Sequence, residues 1–492
     1  MASPRETIER FLKTSRLPVV LDVGDDPLPI QPDTFAMNER AGMVTIECWS
    51  QTRNLVRRVR GIHLEKRGRL ELEVERFGSS AGTLTLMDLA DPGNRDADRR
   101  GMRLKYRERF RRALRRQFPG WRVVELTTEP DLHHSLSPSY PRALLRKGNT
   151  GLAAIGAGED SLSPEGVLSF GLIWLDYLRK RETRPGIEGL AIFVPASAAA
   201  TTCHRVRYLH SNRARYCVFV NGPGGHEDLI EPNEYSNFET RIDICRQARS
   251  GIQAAKWIDQ VQKIDGVERR DRSDGTVSLA VRGLEFARTS GEELLFGIDR
   301  KHAAGSEAHA VEIEELAKGL ARMRSAKTAD RSNPLYMRYP EAWLESQVRA
   351  GIEQIDPTLL PSPIYGQVPQ FASGERGVID LLAADRKGRL AVIEVKAGQD
   401  IHLPLQALDY WMRVKWHLDR GEFSGRRYFP GLPLGNRPPR LLLVAPALDY
   451  HPSNETVLGY FSEEVPVERF GIGVEWRKEL TVMFRVAPDL LP

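Results

Sequence analysis

The stretch "RGVIDLLAADRKGRLAVIEVKAG", residues 376–398, has the pattern of two apolar strands joined by a polar turn. If the loop contains three residues, Gly388 takes the left-handed position that closes a type I turn with a bulge. Counting back from this loop pairs Asp380 with Glu394, and paired residues face the same side of a sheet. Lys396 lies two residues beyond Glu394 and shares that face. We therefore expect two carboxylates and one ammonium group to converge there.

Two carboxylates placed opposite each other destabilise a hairpin unless a cation neutralises them. A cation held by two carboxylates, water and a substrate phosphate is typically Mg²⁺ or Mn²⁺ rather than Zn²⁺. Such a metal, with a lysine beside it, supplies what phosphodiester hydrolysis requires. The alternative interpretation of so short a pattern is a salt bridge on the surface of a hairpin.

Asp380, followed by Glu394-x-Lys396 at the end of the next strand, resembles the PD-(D/E)xK nuclease superfamily over roughly residues 335–450. The resemblance implies a mixed α/β fold with a restriction-endonuclease-like core in the order α-β-β-β-α-β. It also implies that Asp380 and Glu394 are metal ligands and that Lys396 is the catalytic cation. The proline that gives the motif its name is absent, because Ile379 precedes Asp380.

The resemblance adds three residues to the expected site. In that superfamily an acidic residue of the preceding helix often takes part, and Glu345 in "YPEAWLESQVRAG" stands where that residue would be. The helix after the motif frequently carries a Gln-x-x-x-Tyr pattern, as in nucleases attached to recombination helicases. Gln406 and Tyr410 in "QALDY" match this pattern.

Similar segments recur in the two halves of the chain, in the same order and at similar offsets. The pairs are 59–68 with 281–291, 97–114 with 329–346, 146–158 with 386–398, and 171–181 with 406–416. This order predicts an internally duplicated chain, in which each half has a strand-rich front piece followed by a nuclease-like unit.

The first half is predicted to lack the catalytic groups. The alignment of the halves places Arg112 at Glu345, a position near Tyr140 at Asp380, Gly156 at Glu394 and Gly158 at Lys396. A unit without metal ligands cannot cleave phosphodiesters by this route. We therefore interpret the first half as a degenerate nuclease-like domain that serves as a scaffold or binds nucleic acid.

A basic segment of this half, "KYRERFRRALRR" at residues 105–116, contains a single Glu among many Lys and Arg residues. So one-sided a cluster favours an anionic partner such as a phosphate backbone. We therefore expect Arg111, Arg112, Arg115 and Arg116 to contact DNA. A solvated helix face is the alternative.

The chain has 492 residues, which exceeds the size of a single hydrophobic core. Its 41% hydrophobic and 28% charged residues are typical of globular proteins. We expect four domains. They are a strand-rich domain (1–94), the degenerate nuclease-like domain (95–245), a strand-rich and helical repeat of the first domain with a linker (246–334), and the nuclease domain (335–492).

Several classes of protein are excluded or disfavoured. No apolar run is long enough to span a membrane, and the first residues, "MASPRETIERFLKTS", lack the apolar segment of a signal peptide, so we expect a cytoplasmic protein. The four cysteines lack the spacing of a zinc or redox motif and are expected to be buried free thiols. The sequence has no nucleophile elbow, kinase signature or dinucleotide-binding fingerprint.

These features together predict a metal-dependent nuclease that hydrolyses phosphodiester bonds of DNA in repair, restriction or phage defence. The expected cofactor is Mg²⁺ or Mn²⁺, and the expected state is a monomer or a homodimer. Two alternatives stay open. One is a nucleic-acid-binding protein that has the fold but does not cut, and the other is an effector nuclease whose strand-rich domains sense a ligand or partner and gate the site.

Overall fold

The computed structural model describes residues 3–22, 28–30, 35–40, 43–49, 54–75, 81–88, 91–159, 161, 163–182, 186–222, 226–235, 240–246, 258–272, 274–290, 293–298, 303–305, 309–328, 330–372 and 375–487. Within these ranges the chain forms a mixed α/β structure with four β-sheets. The predicted mixed α/β class is confirmed.

Side-chain caps mark the starts of two of the described helices, Pro4–Thr14 and Pro334–Met337. Ser3, for example, forms a capping box with Glu6 at the start of the first helix. The helices are α1 (Pro4–Thr14), α2 (Pro92–Gln117), α3 (Val167–Arg181), α4 (Ala196–Val206), α5 (Ala310–Met323), α6 (Pro334–Met337), α7 (Pro340–Ala350), α8 (Ile352–Ile355), α9 (Leu403–Asp419), α10 (Glu422–Gly425) and α11 (Ser453–Leu458). Helix α2 spans residue 95, the predicted start of the second domain.

The strands fall into four groups along the chain. The first group is β1 (Pro18–Asp22), β2 (Leu28–Pro29), β3 (Phe35–Arg40), β4 (Met43–Trp49), β5 (Asn54–Lys66), β6 (Arg69–Glu75) and β7 (Ala81–Asp88). The second is β8 (Arg122–Thr127), β9 (Arg142–Lys147), β10 (Thr150–Gly156), β11 (Gly186–Pro195), β12 (Arg215–Asn221) and β13 (Glu227–Ile230). The third is β14 (Val267–Asp271), β15 (Val277–Val281), β16 (Leu284–Ser290), β17 (Glu293–Phe296) and β18 (Ala303–Gly305). The fourth is β19 (Tyr365–Ala372), β20 (Glu375–Ala384), β21 (Leu390–Val395), β22 (Arg440–Pro446), β23 (Val467–Ile472) and β24 (Val482–Val486).

The two strand-rich parts are antiparallel sheets of different size. The first sheet has the strand order β2-β1-β7-β6-β5-β4-β3, and the other has the order β14-β15-β16-β17-β18. The matched segments 59–68 and 281–291 do not occupy equivalent places in them. Arg60 and Gly61 lie inside β5, whereas Arg282 and Gly283 form the turn between β15 and β16.

The two six-stranded sheets have the same strand order and the same strand directions. They read β8-β9-β10-β11-β12-β13 and β19-β20-β21-β22-β23-β24. In each sheet the first three strands form an antiparallel meander, the next two pair in parallel, and the last is antiparallel. A long helix, α3 or α9, connects the third strand to the fourth.

These two six-stranded units contact each other through helices on one face of each sheet. Helix α3 contacts α11, and α4 contacts α9. The backbones meet reciprocally, because His210 N donates to Tyr460 O at 2.8 Å and Ser462 N donates to Tyr208 O at 2.8 Å. The side chains around this contact form one apolar core with members from both units.

A buried ion pair crosses this contact. Nε and Nη2 of Arg205 on α4 donate to the two carboxylate oxygens of Asp409 on α9, at 2.9 and 2.7 Å. Nη1 of Arg205 donates to Glu165 O at 2.6 Å. Asp176, which matches Asp409 in the repeated Leu-Asp-Tyr, instead pairs with Lys180 on its own helix at 2.8 Å.

The two copies of Arg-Lys-Gly have different roles in their hairpins. Lys147 pairs with Thr150, so the loop of the first hairpin is Gly148-Asn149. In the second hairpin the loop is residues 386–388. The alignment through Arg-Lys-Gly is therefore wrong by one residue along β10, and such a shift moves the side chains of that strand to the other face of the sheet. Along β9 it is wrong by two residues, which leaves the face unchanged.

The four cysteines are free thiols, as expected. Cys48 and Cys203 are buried, and Cys217 and Cys245 are partly buried. None of the helices in the described ranges is both long and apolar enough to cross a membrane.

We expect Asp409→Asn to lower the free energy of unfolding by about 3–5 kcal/mol, because it leaves the buried guanidinium of Arg205 without its carboxylate. The matched variant Asp176→Asn removes a carboxylate from a more exposed pair within one helix and should change it by less than about 1 kcal/mol. Urea titration followed by circular dichroism measures both values. Equal losses in the two variants would show that the buried pair does not stabilise the contact.

Candidate active site

The hairpin of β20 and β21 has the predicted loop and register. A backbone hydrogen bond of 2.9 Å closes the loop, and Gly388 has a φ of +78°. The ladder runs back to the pair Leu381 and Ile393. The next residues along the two strands are Asp380 and Glu394, which therefore lie opposite each other.

Alternation along the strands decides which face carries the charged groups. Val392 packs in the core that contains helix α9, whereas Ile393 packs in the core that contains helix α7. Glu394 lies two residues after Val392 and therefore on the same face of β21, and Asp380 shares the face of Glu394. The side chains of these two acids belong to the α9 side of the sheet, and Lys396 follows directly after the end of β21.

Asp380 and Glu394 are carboxylates in a largely apolar setting. Asp380 Oδ2 accepts a hydrogen bond from Val395 N at 2.9 Å. Glu394 is 3% exposed, and its Oε2 has no hydrogen-bond partner within the described part of the chain. Burial raises the pKa of Asp380 to about 6. Burial, and then the charge of Asp380, raise the pKa of Glu394 well above its ordinary value.

Lys396 lies among three carboxylates. Its Nζ is 3.7 Å from Glu394 Oε1, 3.7 Å from Asp400 Oδ2 and 3.9 Å from Glu341 Oε1. Burial by itself would lower the pKa of the ammonium group, but the neighbouring carboxylates raise it above its usual value. Lys396 is therefore a cation at neutral pH.

The sequence prediction omits Glu341 and Asp400. Glu341 precedes Glu345 by one turn of helix α7, so their spacing places both on one helix face and was an available signal. Asp400 follows Lys396 by four residues, in the segment before α9. No pattern in the sequence marks it.

Glu345 is near Asp380 but has its own partners. It is 4% exposed, and its charge contributes to the raised pKa of Asp380. Glu345 Oε1 accepts a hydrogen bond from Arg349 Nη2 at 2.9 Å and lies 3.6 Å from Arg270 Nη1. Arg270 belongs to β14 of the five-stranded sheet, so two elements supply guanidinium groups to this one carboxylate.

Helix α9 brings Tyr410 to the same region. Burial raises the pKa of Tyr410 above its usual value, and the charges of Glu394 and Asp380 add to that shift. The phenol is therefore close to both carboxylates. Gln406 lies one turn earlier and on the same face of α9.

Asp380 and Glu394 have the chemistry of ligands for Mg²⁺ or Mn²⁺, which prefer oxygen donors. The buried Oε2 of Glu394 fits such a cation because it has no other partner in the described residues. Within those residues, no group of three or more His, Cys, Asp and Glu side chains is arranged so that it could hold a metal ion. Mg²⁺ is usually held by one or two carboxylates, with water and phosphate completing its shell.

Backbone hydrogen bonds identify the counterparts of these residues in the first half. Ala157 N donates to a carbonyl of β11 at 2.8 Å, as Lys396 N donates to a carbonyl of β22 at 3.0 Å. Lys396 therefore corresponds to Ala157, and Glu394 to Ile155, rather than to the two glycines of the sequence alignment. Ile155 and Ala157 are buried, and the predicted loss of the acid and the lysine still holds.

The counterpart of Asp380 is Arg142, two residues beyond the predicted Tyr140. A buried guanidinium thus replaces the carboxylate. Tyr106 of helix α2 fills the end of β10, where its hydroxyl donates to Ala157 O at 2.7 Å. The described residues of the first half place no carboxylate at these three positions.

The four arginines predicted to contact DNA lie near the C-terminal end of α2. Arg112 and Arg115 are exposed. Arg116 Nη2 lies 2.5 Å from Glu227 Oε1 of β13, and Arg111 lies 3.7 Å from a glutamate of its own helix. Helix α2 packs on the face of the first six-stranded sheet opposite α3. The basic patch is therefore on the outer side of this unit, away from the contact with the second.

Comparison with known proteins does not assign this chain to a family. A scan against protein-family models finds no match, and a search of curated proteins finds none either. The function is therefore inferred from the motif and from the geometry of the site.

In the metal-free protein, Asp380 and Glu394 have raised folded-state pKa values, that of Asp380 being about 6. Their contribution to stability is full below the ordinary carboxyl pKa of about 4 and is lost as the pH rises through the folded-state values. We expect Asp380 alone to lower the free energy of unfolding by about 2 kcal/mol between about pH 4 and pH 6, with a further loss from Glu394 as the pH rises. Thermal unfolding in EDTA should therefore show Glu394→Gln to be more stable than wild type at about pH 8.

Glu463→Gln is the matched control, because it makes the same change at a side chain that is 96% exposed. Mn²⁺ should raise the unfolding midpoint of wild type and of this control, but not that of Glu394→Gln. A Glu394→Gln variant that is less stable than wild type at high pH would contradict the assignment of an uncompensated buried carboxylate.

Proposed function

We propose that this chain is a metal-dependent nuclease of the PD-(D/E)xK type that hydrolyses phosphodiester bonds of DNA. The observation that carries the proposal is the buried Glu394, whose Oε2 lacks a partner in the described residues while it faces Asp380. Lys396 Nζ lies 3.7 Å from its other oxygen. Burying two like charges together costs free energy. Binding of a divalent metal and a substrate phosphate would explain why the protein has this arrangement.

Each side chain has a distinct role in this proposal. A bound Mg²⁺ or Mn²⁺ would polarise a phosphoryl oxygen and lower the pKa of water. Asp380 and Glu394 would hold the ion, and the N–H of Val395 orients the Asp380 carboxylate. Lys396, kept protonated by its carboxylate neighbours, is placed to stabilise negative charge that develops on the phosphate. Tyr410 of helix α9 would supply a hydroxyl group near the two ligands.

The order of elements supports the restriction-endonuclease-like core. The second half runs α7, β19, β20, β21, α9, β22, with the short α8 and α10 inserted. The first half runs α2, β8, β9, β10, α3, β11. The shared order and the identical sheet topology support an internal duplication, in which the first half is the degenerate copy.

One active half in each chain limits what a monomer can do. Cutting both strands of a duplex takes two scissions, and the first half has Arg142, Ile155 and Ala157 in place of the two acids and the lysine. A monomer is therefore expected to nick duplex DNA, or to cut single-stranded or branched DNA. The exposed Arg112 and Arg115 of α2 are the proposed contacts to the phosphate backbone.

We expect wild-type protein with Mg²⁺ or Mn²⁺ to convert supercoiled plasmid into nicked circle before linear DNA forms, at a rate proportional to protein concentration. EDTA should stop the reaction. Asp380→Asn and Glu394→Gln should each lower the rate at least about a hundredfold, because each removes a metal ligand. Lys396→Ala should lower kcat with a smaller effect on metal affinity, since an ammonium group is not a ligand.

Glu463→Gln again serves as the control and should cut at the wild-type rate. Cleavage at the wild-type rate by both Asp380→Asn and Glu394→Gln would refute the metal-site assignment. Plasmid binding without cleavage by the wild type would favour the non-cutting alternative. Linear product without a nicked intermediate, from protein shown to be monomeric, would mean that the first half has an active site of its own.

A further inference from the structure

The strand-rich domain that follows the first six-stranded unit lies directly against helix α7, which carries Glu341 and Glu345. The turn between β15 and β16 meets the start of this helix so closely that a Cβ at Gly283 would lie 2.0 Å from Ala342 O. Gly283 also has a φ of +82°, a conformation that favours glycine. The position therefore needs glycine both for its backbone and for this contact.

A buried arginine fixes the segment before α7 to the same domain. Arg324, which follows α5, donates from Nη1 to Leu335 O and Arg338 O, both at 2.7 Å. It also donates from Nη2 to Arg282 O at 2.9 Å. Its guanidinium lies 4.8 Å from the ring centroid of Trp343 on α7. The strand-rich domain and α7 are thus joined by hydrogen bonds as well as by packing.

A second arginine of this domain reaches the acidic side of α7. Arg270 on β14 places Nη1 3.6 Å from Glu345 Oε1 and Nη2 3.2 Å from Glu268 Oε2. Ser346 on α7 donates its hydroxyl to Glu268 Oε1. The side chain of Arg270 is 10% exposed, so its charge acts within the protein rather than in water.

The carboxylates around the proposed metal site therefore differ in their surroundings. Glu394 Oε2 has no hydrogen-bond partner in the described residues, whereas Glu345 Oε1 has the guanidinium groups of Arg349 and Arg270. A carboxylate neutralised in this way is a poor ligand, because a divalent cation would have to approach two buried positive charges. Arg349 belongs to α7 itself, but Arg270 comes from another domain.

We infer that Arg270 is a positioning residue of this site, which holds Glu345 out of metal coordination and leaves Asp380 and Glu394 as the protein ligands. The inference rests on the proposed function. By this inference the strand-rich domain contributes to the active site. The position of its Arg270 guanidinium group determines how much negative charge surrounds the metal.

Calorimetric titration of Mn²⁺ into the full chain, without DNA, tests this assignment. Arg270→Gln should bind Mn²⁺ about three- to tenfold more tightly than wild type, because Glu345, with one guanidinium partner fewer, becomes available as a further ligand. Arg270→Lys retains the charge and should stay near the wild-type affinity. The double variant Arg270→Gln with Glu345→Gln should also return to the wild-type value.

Arg269→Gln is the matched control, since Arg269 neighbours Arg270 on β14 but pairs with Asp271 at 2.8 Å. Glu345→Gln alone provides a test that leaves Arg270 intact, and should change Mn²⁺ affinity by less than about twofold. Circular dichroism shows which variants are folded. If Arg270→Gln does not fold, the Mn²⁺ affinity of Glu345→Gln tests the inference instead.

Two kinds of failure can be told apart. If wild type binds Mn²⁺ but folded Arg270→Gln binds it equally or more weakly, or if Glu345→Gln loses affinity, Arg270 does not withhold Glu345 and the inference is overturned. The ligands Asp380 and Glu394 would be unaffected by that result. If wild type binds no Mn²⁺, the proposed function and the inference fall together.

Discussion

The hairpin of β20 and β21 forces Asp380 and Glu394 to face each other inside the protein. The other groups of the site act on the repulsion between these two carboxylates. Burial removes the water that would screen the two charges, so both pKa values rise. The N–H of Val395 and the ammonium of Lys396 offset part of the repulsion. One carboxylate oxygen of Glu394 is left without a hydrogen-bond partner in the described residues, and under the proposed function a divalent cation would bind there.

The parts of this site that depend on local geometry could be predicted from the sequence. Gly388 sets the length of the loop, and strict alternation then places Asp380 and Glu394 on one face. Arg349 follows Glu345 at the i,i+4 spacing of a helix, but the other partner of Glu345, Arg270, could not be predicted in this way. Arg270 belongs to a different sheet, and a contact made only by tertiary packing leaves no periodic pattern in the chain.

The comparison of the two halves went wrong for a similar reason. Gly148 and Gly388 both have positive φ values, of +58° and +78°. A tight turn favours glycine in that conformation whether the turn has two or three residues. The shared Arg-Lys-Gly therefore did not mean that the two hairpins have the same strand register. The mixed α/β class, the repeated order of elements and the missing acids were nevertheless predictable, because each depends on many residues rather than on the exact alignment of one loop.

The apolar core shared by the two six-stranded units limits how such a chain can evolve. Leu408 and Trp411 of α9 lie in it together with side chains of α3 and α4, so removal of the first half would expose them to water. The counterpart of Asp380 in that half is under no such constraint, and the guanidinium of Arg142 occupies its place. Under the proposed function, selection against unfolding would thus act on the helices of a half that performs no reaction of its own. The residues at its former site positions could then change freely, whereas loss of the whole half would expose the shared core.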